Sequence, residues 1–144
     1  MRDRKGSFAG DVHDVQDRYC HGIQRIALAM HGLEVPAIAA VDGAAIGAGF
    51  DLATMCDIRI AAHNAVFGST FINLGIVPGD GGAWFLQDLV GPQRAADIIF
   101  TGRLVGAEES FYVQYFRASA TTRGIISRRS RRSWLIAPAQ FQGR

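Results

Sequence analysis

A short apolar segment between a proline and a glycine constrains the fold of this chain more than any other feature. The segment is AIAAVD, residues 37–42, and it is bounded by Pro36 and Gly43. A run of this length without polar alternation is typical of a strand that is buried on both faces. Because such a strand needs covering layers, the sequence predicts an α/β domain in which helices pack on a sheet.

The rest of the chain alternates between helical and extended patterns. Apolar residues recur every three or four positions after Asp11, which predicts a helix over about 11–32. The further predicted elements are strands over 57–62 and 65–68, a loop over 75–82, helices over 50–56 and 83–90, and a helix over 93–102 with Pro92 in its first turn. At 144 residues, 49% of them hydrophobic, the chain suits one domain with a buried core.

Charge divides the chain into two parts. All 13 acidic residues lie at or before Glu109, so residues 1–109 carry a net charge of −5. Residues 110–144 carry +7, with seven arginines, five serines and no acid. We therefore treat 110–144 as a basic Arg/Ser-rich tail that is separate from the domain in 1–109.

Several classes of protein and site are not indicated. No apolar run reaches the ~18 residues of a membrane span, and MRDRKGSFAG lacks the apolar region of a secretory signal. Cys20 and Cys56 form no CxxC pair, and the histidines show no metal-ligand spacing. We expect a cytoplasmic chain without a membrane segment or a metal.

The glycine turn after the buried strand is the candidate functional feature. Gly47-Ala48-Gly49 lets the backbone approach a ligand and leaves N–H donors at a helix N-terminus, where they favour negative charge. Asp51 falls in the first turn of that helix, where we expect the helix dipole to favour its charged form. It is either an acid–base group or a helix-terminal aspartate that satisfies backbone N–H groups.

IAAVDGAAIGAGFDLATMCDI, residues 38–58, resembles the signature of the enoyl-CoA hydratase/isomerase (crotonase) family. The resemblance continues through AVFG, INLGIVPGDGGAWFLQDLVG and RAADIIFTGRLVGAEE, and covers roughly residues 1–109. It implies a fragment of a ββα spiral that assembles as trimers or paired trimers. It also implies acyl-CoA thioester substrates, an enolate-like intermediate, and no cofactor beyond the CoA that is part of the substrate.

The resemblance assigns roles to individual residues of the turn. Ala48 would supply an oxyanion N–H, and Asp51 would be the first catalytic carboxylate. Gly47 and Gly49 would give access to the turn, and Ala45 would join them in binding substrate.

Two residues of the next segments depart from the family pattern. Phe71 stands where typical hydratases carry a second glutamate, so double-bond isomerisation is favoured over hydration. Asp80 is a candidate second acid, although isomerases with an acid in this loop carry it where Gly79 stands. Asp80 could equally be a turn residue that caps the next helix. We expect Phe71 and Gly79 to line the substrate site.

Two alternatives remain open. The early turns of the family's spiral have no counterpart here, and residues 110–144 resemble none of the family. We interpret this tail as out-of-frame, non-native or disordered. The chain could then be a non-catalytic remnant of such an enzyme. Nucleic-acid binding through the arginines of SRRSRRS is a weaker alternative, because the acidic first part opposes it.

Overall fold

Two small sheets and the helices packed on them form the computed structural model, which describes residues 11–113, 115–118 and 135–138. The helices are α1 (Val12–Arg18), α2 (Gln24–His31), α3 (Ala48–Thr54), α4 (Gly82–Val90), α5 (Pro92–Thr101) and α6 (Ala107–Tyr112). A π-helical turn, Tyr19–Ile23, joins α1 to α2, and a 3₁₀ helix spans Thr70–Leu74. The strands are β1 (Ala37–Val41), β2 (Ala44–Ile46), β3 (Ile58–Ala61), β4 (Val66–Gly68), β5 (Val105–Gly106), β6 (Arg117–Ala118) and β7 (Leu135–Pro138).

The larger sheet is parallel throughout and has the strand order β6-β3-β1-β7. Its central strand β1 is 0–6% exposed along its whole length, which confirms the predicted buried strand. The smaller sheet has the order β2-β4-β5, with β2 parallel and β5 antiparallel to β4. This arrangement confirms the predicted α/β class.

Large aromatic and aliphatic side chains close the space between the sheets and the helices. Phe50, Phe67, Leu86 and Ile98 are completely buried. The Phe67 ring stacks on Phe116, with a centroid distance of 4.1 Å, and lies 6.1 Å from the ring of Phe50. Burial of these rings joins α3, β4 and the segment after α6 into one core.

The long N-terminal helix has the predicted extent but not the predicted regularity. Asp11 caps it, because its carboxylate accepts hydrogen bonds from the N–H groups of His13 and Asp14 at 2.7 and 3.0 Å. The π turn interrupts the regular 3.6-residue period. Val12 is 79% exposed and Leu28 is 69% exposed.

Three other segments differ from the sequence-based prediction. Residues 44–46 form β2, which was predicted only as part of the glycine turn. The helix predicted over 50–56 begins earlier, at Ala48. In the tail, 117–118 and 135–138 pair with the larger sheet, whereas the arginines of SRRSRRS lie outside the described residues.

Among the described residues, the structure contains no helix with the length and apolar character needed to cross a bilayer.

The packing of the core predicts that truncating a buried phenylalanine destabilises the fold much more than truncating an exposed one. Phe67→Ala should lower the free energy of unfolding by about 3–5 kcal/mol, because it removes the buried ring that contacts Phe50 and Phe116. Phe100→Ala is the matched control, since Phe100 is 73% exposed on α5. Urea denaturation followed by circular dichroism measures both, and equal losses would contradict this account of the core.

Candidate active site

The glycine turn joins β2 to α3 through a backbone conformation that favours glycine. Gly47 has φ 58° and ψ −126°. Its N–H donates to the carbonyl of Gly68 at 2.7 Å, and its carbonyl accepts from the N–H groups of Phe50 and Asp51 at 2.9 and 3.0 Å. The amide of Gly47 is therefore used to hold the turn against β4.

The next two amides of the turn are differently placed. Ala48 and Gly49 are the first residues of α3, and within the described residues their N–H groups donate no hydrogen bond. Ala48 is exposed, and Gly49 is half-buried. This arrangement leaves Ala48 able to donate to a ligand, as the sequence analysis proposed for the oxyanion donor.

Asp51 lies one turn along α3, and it is 1% exposed. Neither of its carboxyl oxygens has a hydrogen-bond partner in the described part of the chain. A Cβ built on Gly82 would overlap the Asp51 carboxyl group, so only glycine fits at the start of α4. Asp51 is consequently not a capping aspartate, and the alternative in which it satisfies backbone N–H groups is wrong.

Asp80, the candidate second acid, is also buried, and it is 4% exposed. It lies in the loop before α4, and its Oδ1 accepts a hydrogen bond from the N–H of Gly82 at 3.3 Å. The alternative that Asp80 caps the next helix is thus partly correct. The same loop brings Asp80 beside Asp51, which the capping alternative did not anticipate.

Burial and the neighbouring Asp80 keep the Asp51 carboxyl group in its neutral form. Burial, and after it the neighbouring Asp80, together raise the pKa of Asp51 to about 9. The helix dipole favours a charged Asp51, but the loss of hydration on burial outweighs it and favours the neutral form. At neutral pH Asp51 is a carboxylic acid that can donate a proton.

Tyr19 is a residue of this site that the sequence analysis missed. A Cβ built on Gly79 would lie 2.6 Å from Tyr19 Cδ1, so the edge of the ring lies directly over Gly79. Burial and then the charge of Asp80 raise the pKa of Tyr19. Tyr19 is one of the residues that recur at helical spacing in 11–32, and no local sequence signal links it to a loop about 60 residues away.

The remaining predicted binding residues lie at different distances from the turn. Phe71 is half-buried in the 3₁₀ helix, and its Cζ would be 3.8 Å from a Cβ at Gly47. Phe71 therefore lies beside the turn. The side chain of Ala45 is 1% exposed and packs in the hydrophobic core, so a binding role for Ala45 stays a prediction.

Across the ranges that the structure describes, no group of three or more His, Cys, Asp or Glu residues could hold a metal ion.

The neutral Asp51 predicts an unusual pH dependence of stability. Between its ordinary pKa of 3.8 and its folded pKa of about 9, the unfolded chain ionises Asp51 while the folded chain does not. The free energy of unfolding should therefore fall as pH rises through this window, by up to about 1.4 kcal/mol per pH unit. Asp51→Asn should remove this part of the slope in urea titrations at successive pH values.

Asp88→Asn is the matched control for that experiment, because Asp88 is exposed on α4. It should follow the wild-type curve. An Asp51→Asn chain with the wild-type slope would show that Asp51 is charged in the fold.

Comparisons with known proteins place the chain in a family. The enoyl-CoA hydratase/isomerase family model matches residues 5–113. The chain is 44% identical over 90 residues to a crotonyl-CoA hydratase from Syntrophomonas wolfei, a match that covers 62% of this chain and 35% of that protein. The chain thus spans about a third of the length of this curated relative.

Solved structures agree with the sequence match. An enoyl-CoA hydratase/isomerase from Cupriavidus metallidurans superposes with a TM-score of 0.78 and 33% identity, over 88% of this chain and 47% of that chain. A candidate enoyl-CoA hydratase from Thermobifida fusca, solved with CoA, gives a TM-score of 0.66 and 32% identity, over 81% of this chain and 45% of that chain. The described fold is thus part of the crotonase fold, and the chain belongs to the enoyl-CoA hydratase/isomerase family.

Proposed function

We propose that this chain acts on enoyl-CoA thioesters and moves a carbon–carbon double bond rather than adding water. The observation that carries the proposal is the buried Asp51 carboxyl, one helical turn from the N–H of the exposed residue Ala48, which donates no hydrogen bond among the described residues. Family membership and the CoA-bound Thermobifida neighbour support a thioester substrate. Homo-oligomeric assembly and a cytoplasmic location stay predictions from the resemblance and the sequence.

The geometry of α3 supports this chemistry. Ala48 and Asp51 are three residues apart, which puts them on neighbouring positions of one helix face, about 4.5 Å apart along the axis. The N–H of Ala48 would donate to the thioester oxygen, where negative charge develops in the enolate. A donor of this kind typically lowers the transition-state free energy by about 2.7–4 kcal/mol.

The two carboxyl groups can divide the proton transfers between them. Paired acids at this proximity hold one proton between them, and the raised pKa of Asp51 keeps it there. Asp80 would remove a proton from C2 of a 3-enoyl thioester, which gives the enolate. Asp51 would then protonate C4 as the double bond forms between C2 and C3, and proton transfer from Asp80 to Asp51 would restore the pair.

Phe71 supports isomerisation over hydration. Addition of water needs a group that activates a water molecule at the β-carbon, and a phenyl ring can neither hold nor release a proton. Its half-buried ring beside the Gly47 turn makes that side of the site apolar. An apolar wall protects a charged enolate from water without taking part in the proton transfers.

The first functional prediction concerns Asp51. The purified chain should isomerise a 3-enoyl-CoA and leave crotonyl-CoA unchanged, and Asp51→Asn should lower kcat by about 10²–10⁴-fold. Spectrophotometric assays measure turnover, and calorimetry should show that the variant still binds the thioester. The exposed control Asp88→Asn should keep wild-type kcat.

The outcomes of these assays separate the candidate functions. Turnover of crotonyl-CoA but not of the 3-enoyl-CoA would contradict isomerisation. Thioester binding without turnover of either substrate, or no binding at all, would favour a non-catalytic remnant.

The second functional prediction concerns Phe71. Phe71→Glu should introduce hydration of crotonyl-CoA, because it places a second carboxyl group beside the glycine turn. Phe71→Gln is the matched control, since it has the same length and hydrogen-bonding capacity without a titratable group. Equal hydration by both variants, or by neither, would contradict the assignment of Phe71 to this position.

A further inference from the structure

We propose that Tyr19 is a positioning residue for the Asp51–Asp80 pair, with its ring seated over Gly79 and its phenol beside Asp80. The inference deepens the proposed function and rests on it for the catalytic consequence. The positioning itself depends only on contacts within the described residues, so it can be tested without a substrate.

The first support is the close approach of the loop to the N-terminal helix. The ring of Tyr19 occupies the place of a side chain at Gly79, and the methyl group of Ala27 would lie 2.7 Å from a Cβ at Gly81. The loop of residues 79–82 therefore packs closely between the N-terminal helix and α3. Glycines lie on both sides of Asp80 in this loop. Because Asp80 provides the one side chain of residues 79–82, contacts of Tyr19 with this loop act directly on its placement.

The second support is the local helix geometry. Tyr19 is the first residue of the π-helical turn, and it is half-buried while Cys20, His21 and Gly22 are exposed. A π turn adds one residue to a helical turn, and so it changes the direction of the side chains that follow from those of a regular α-helix. Such turns are rare and occur frequently at functional sites.

The third support is electrostatic. Burial and the negative charge of Asp80 raise the pKa of Tyr19, so the phenol stays protonated and remains a donor. A donor beside a carboxylate favours its ionised form. A donor placed here would help to keep the proton of the pair on Asp51, as the proposed reaction requires.

The titratable groups that affect one another here come from three elements: Tyr19 from the π turn, Asp51 from α3 and Asp80 from the loop. In the described part of the chain, the charge of Asp80 is the one that acts on both Asp51 and Tyr19. Tyr19 transfers no proton in this proposal, and its effect on the reaction passes through Asp80.

The test follows the carboxyl groups by NMR, in chains labelled with ¹³C at the aspartate carboxyl carbon. Asp51→Asn and Asp80→Asn assign the two signals. Tyr19→Phe keeps the ring and removes the hydroxyl, so the lower apparent pKa of the pair should rise by about one pH unit. Tyr112→Phe is the control, because Tyr112 is 85% exposed and should change nothing. An unchanged titration in Tyr19→Phe would overturn the proposal.

A second measurement tests the seating of the ring over Gly79 without relying on the carboxyl titration. Gly79→Ala should lower the unfolding midpoint in urea, since the added methyl group overlaps the ring of Tyr19. The loss should shrink in a Tyr19→Ala background. Gly106→Ala is the control, because no atom lies within 4 Å of a Cβ at Gly106. A loss of the same size in both backgrounds would overturn the seating of the ring.

These measurements separate this inference from the proposed function. A chain without turnover in which Tyr19→Phe still moves the carboxyl titration would support the positioning role and contradict isomerisation. If the chain isomerises its substrate but Tyr19→Phe does not change the carboxyl titration of the pair, the positioning role is overturned. That result would not contradict isomerisation.

Discussion

The contact between the Asp51 carboxyl group and the backbone of Gly82 is the constraint on which the rest of the site depends. It brings the start of α4 against the first turn of α3, with no room for a side chain at Gly82. The loop before α4 must then pass close to Asp51. Asp80 belongs to this loop and therefore lies near the Asp51 carboxyl group. Residues 79–82 include three glycines, and a side chain at any of them would overlap a neighbouring residue. These glycines therefore allow the loop to approach Asp51 closely enough to form the buried acid pair.

Two electrostatic effects compete at Asp51, and their magnitudes decide its charge. A helix N-terminus stabilises a nearby carboxylate by about 0.3–1 kcal/mol when the group is exposed. Removing an unpaired carboxylate from water costs several times more, and a second acid nearby adds to this cost. Burial raises the pKa of Asp51 to about 9, so the neutral form persists at neutral pH. The fold thereby creates an acid where exposure would have left a carboxylate.

The sequence was a good guide wherever a local pattern has one structural solution. AIAAV, residues 37–41, contains no polar residue, so it had to be buried, and β1 is buried throughout. Pro92 and the glycines that flank α5 fixed the ends of that helix. The π turn was not predictable, because the apolar residues of 11–32 fit a regular period equally well. The strand β2 was also missed, since three residues between glycines carry too little periodicity.

The sequence by itself determined the family, the α/β class and the places of Ala48 and Asp51 on one helix, because these depend on short segments and local backbone preferences. Tertiary structure alone decided that Asp51 is neutral, that Asp80 lies beside it and that Tyr19 covers Gly79. These three facts depend on contacts between segments far apart in the chain. Burial and close packing act through such contacts, and no local pattern of residues encodes them.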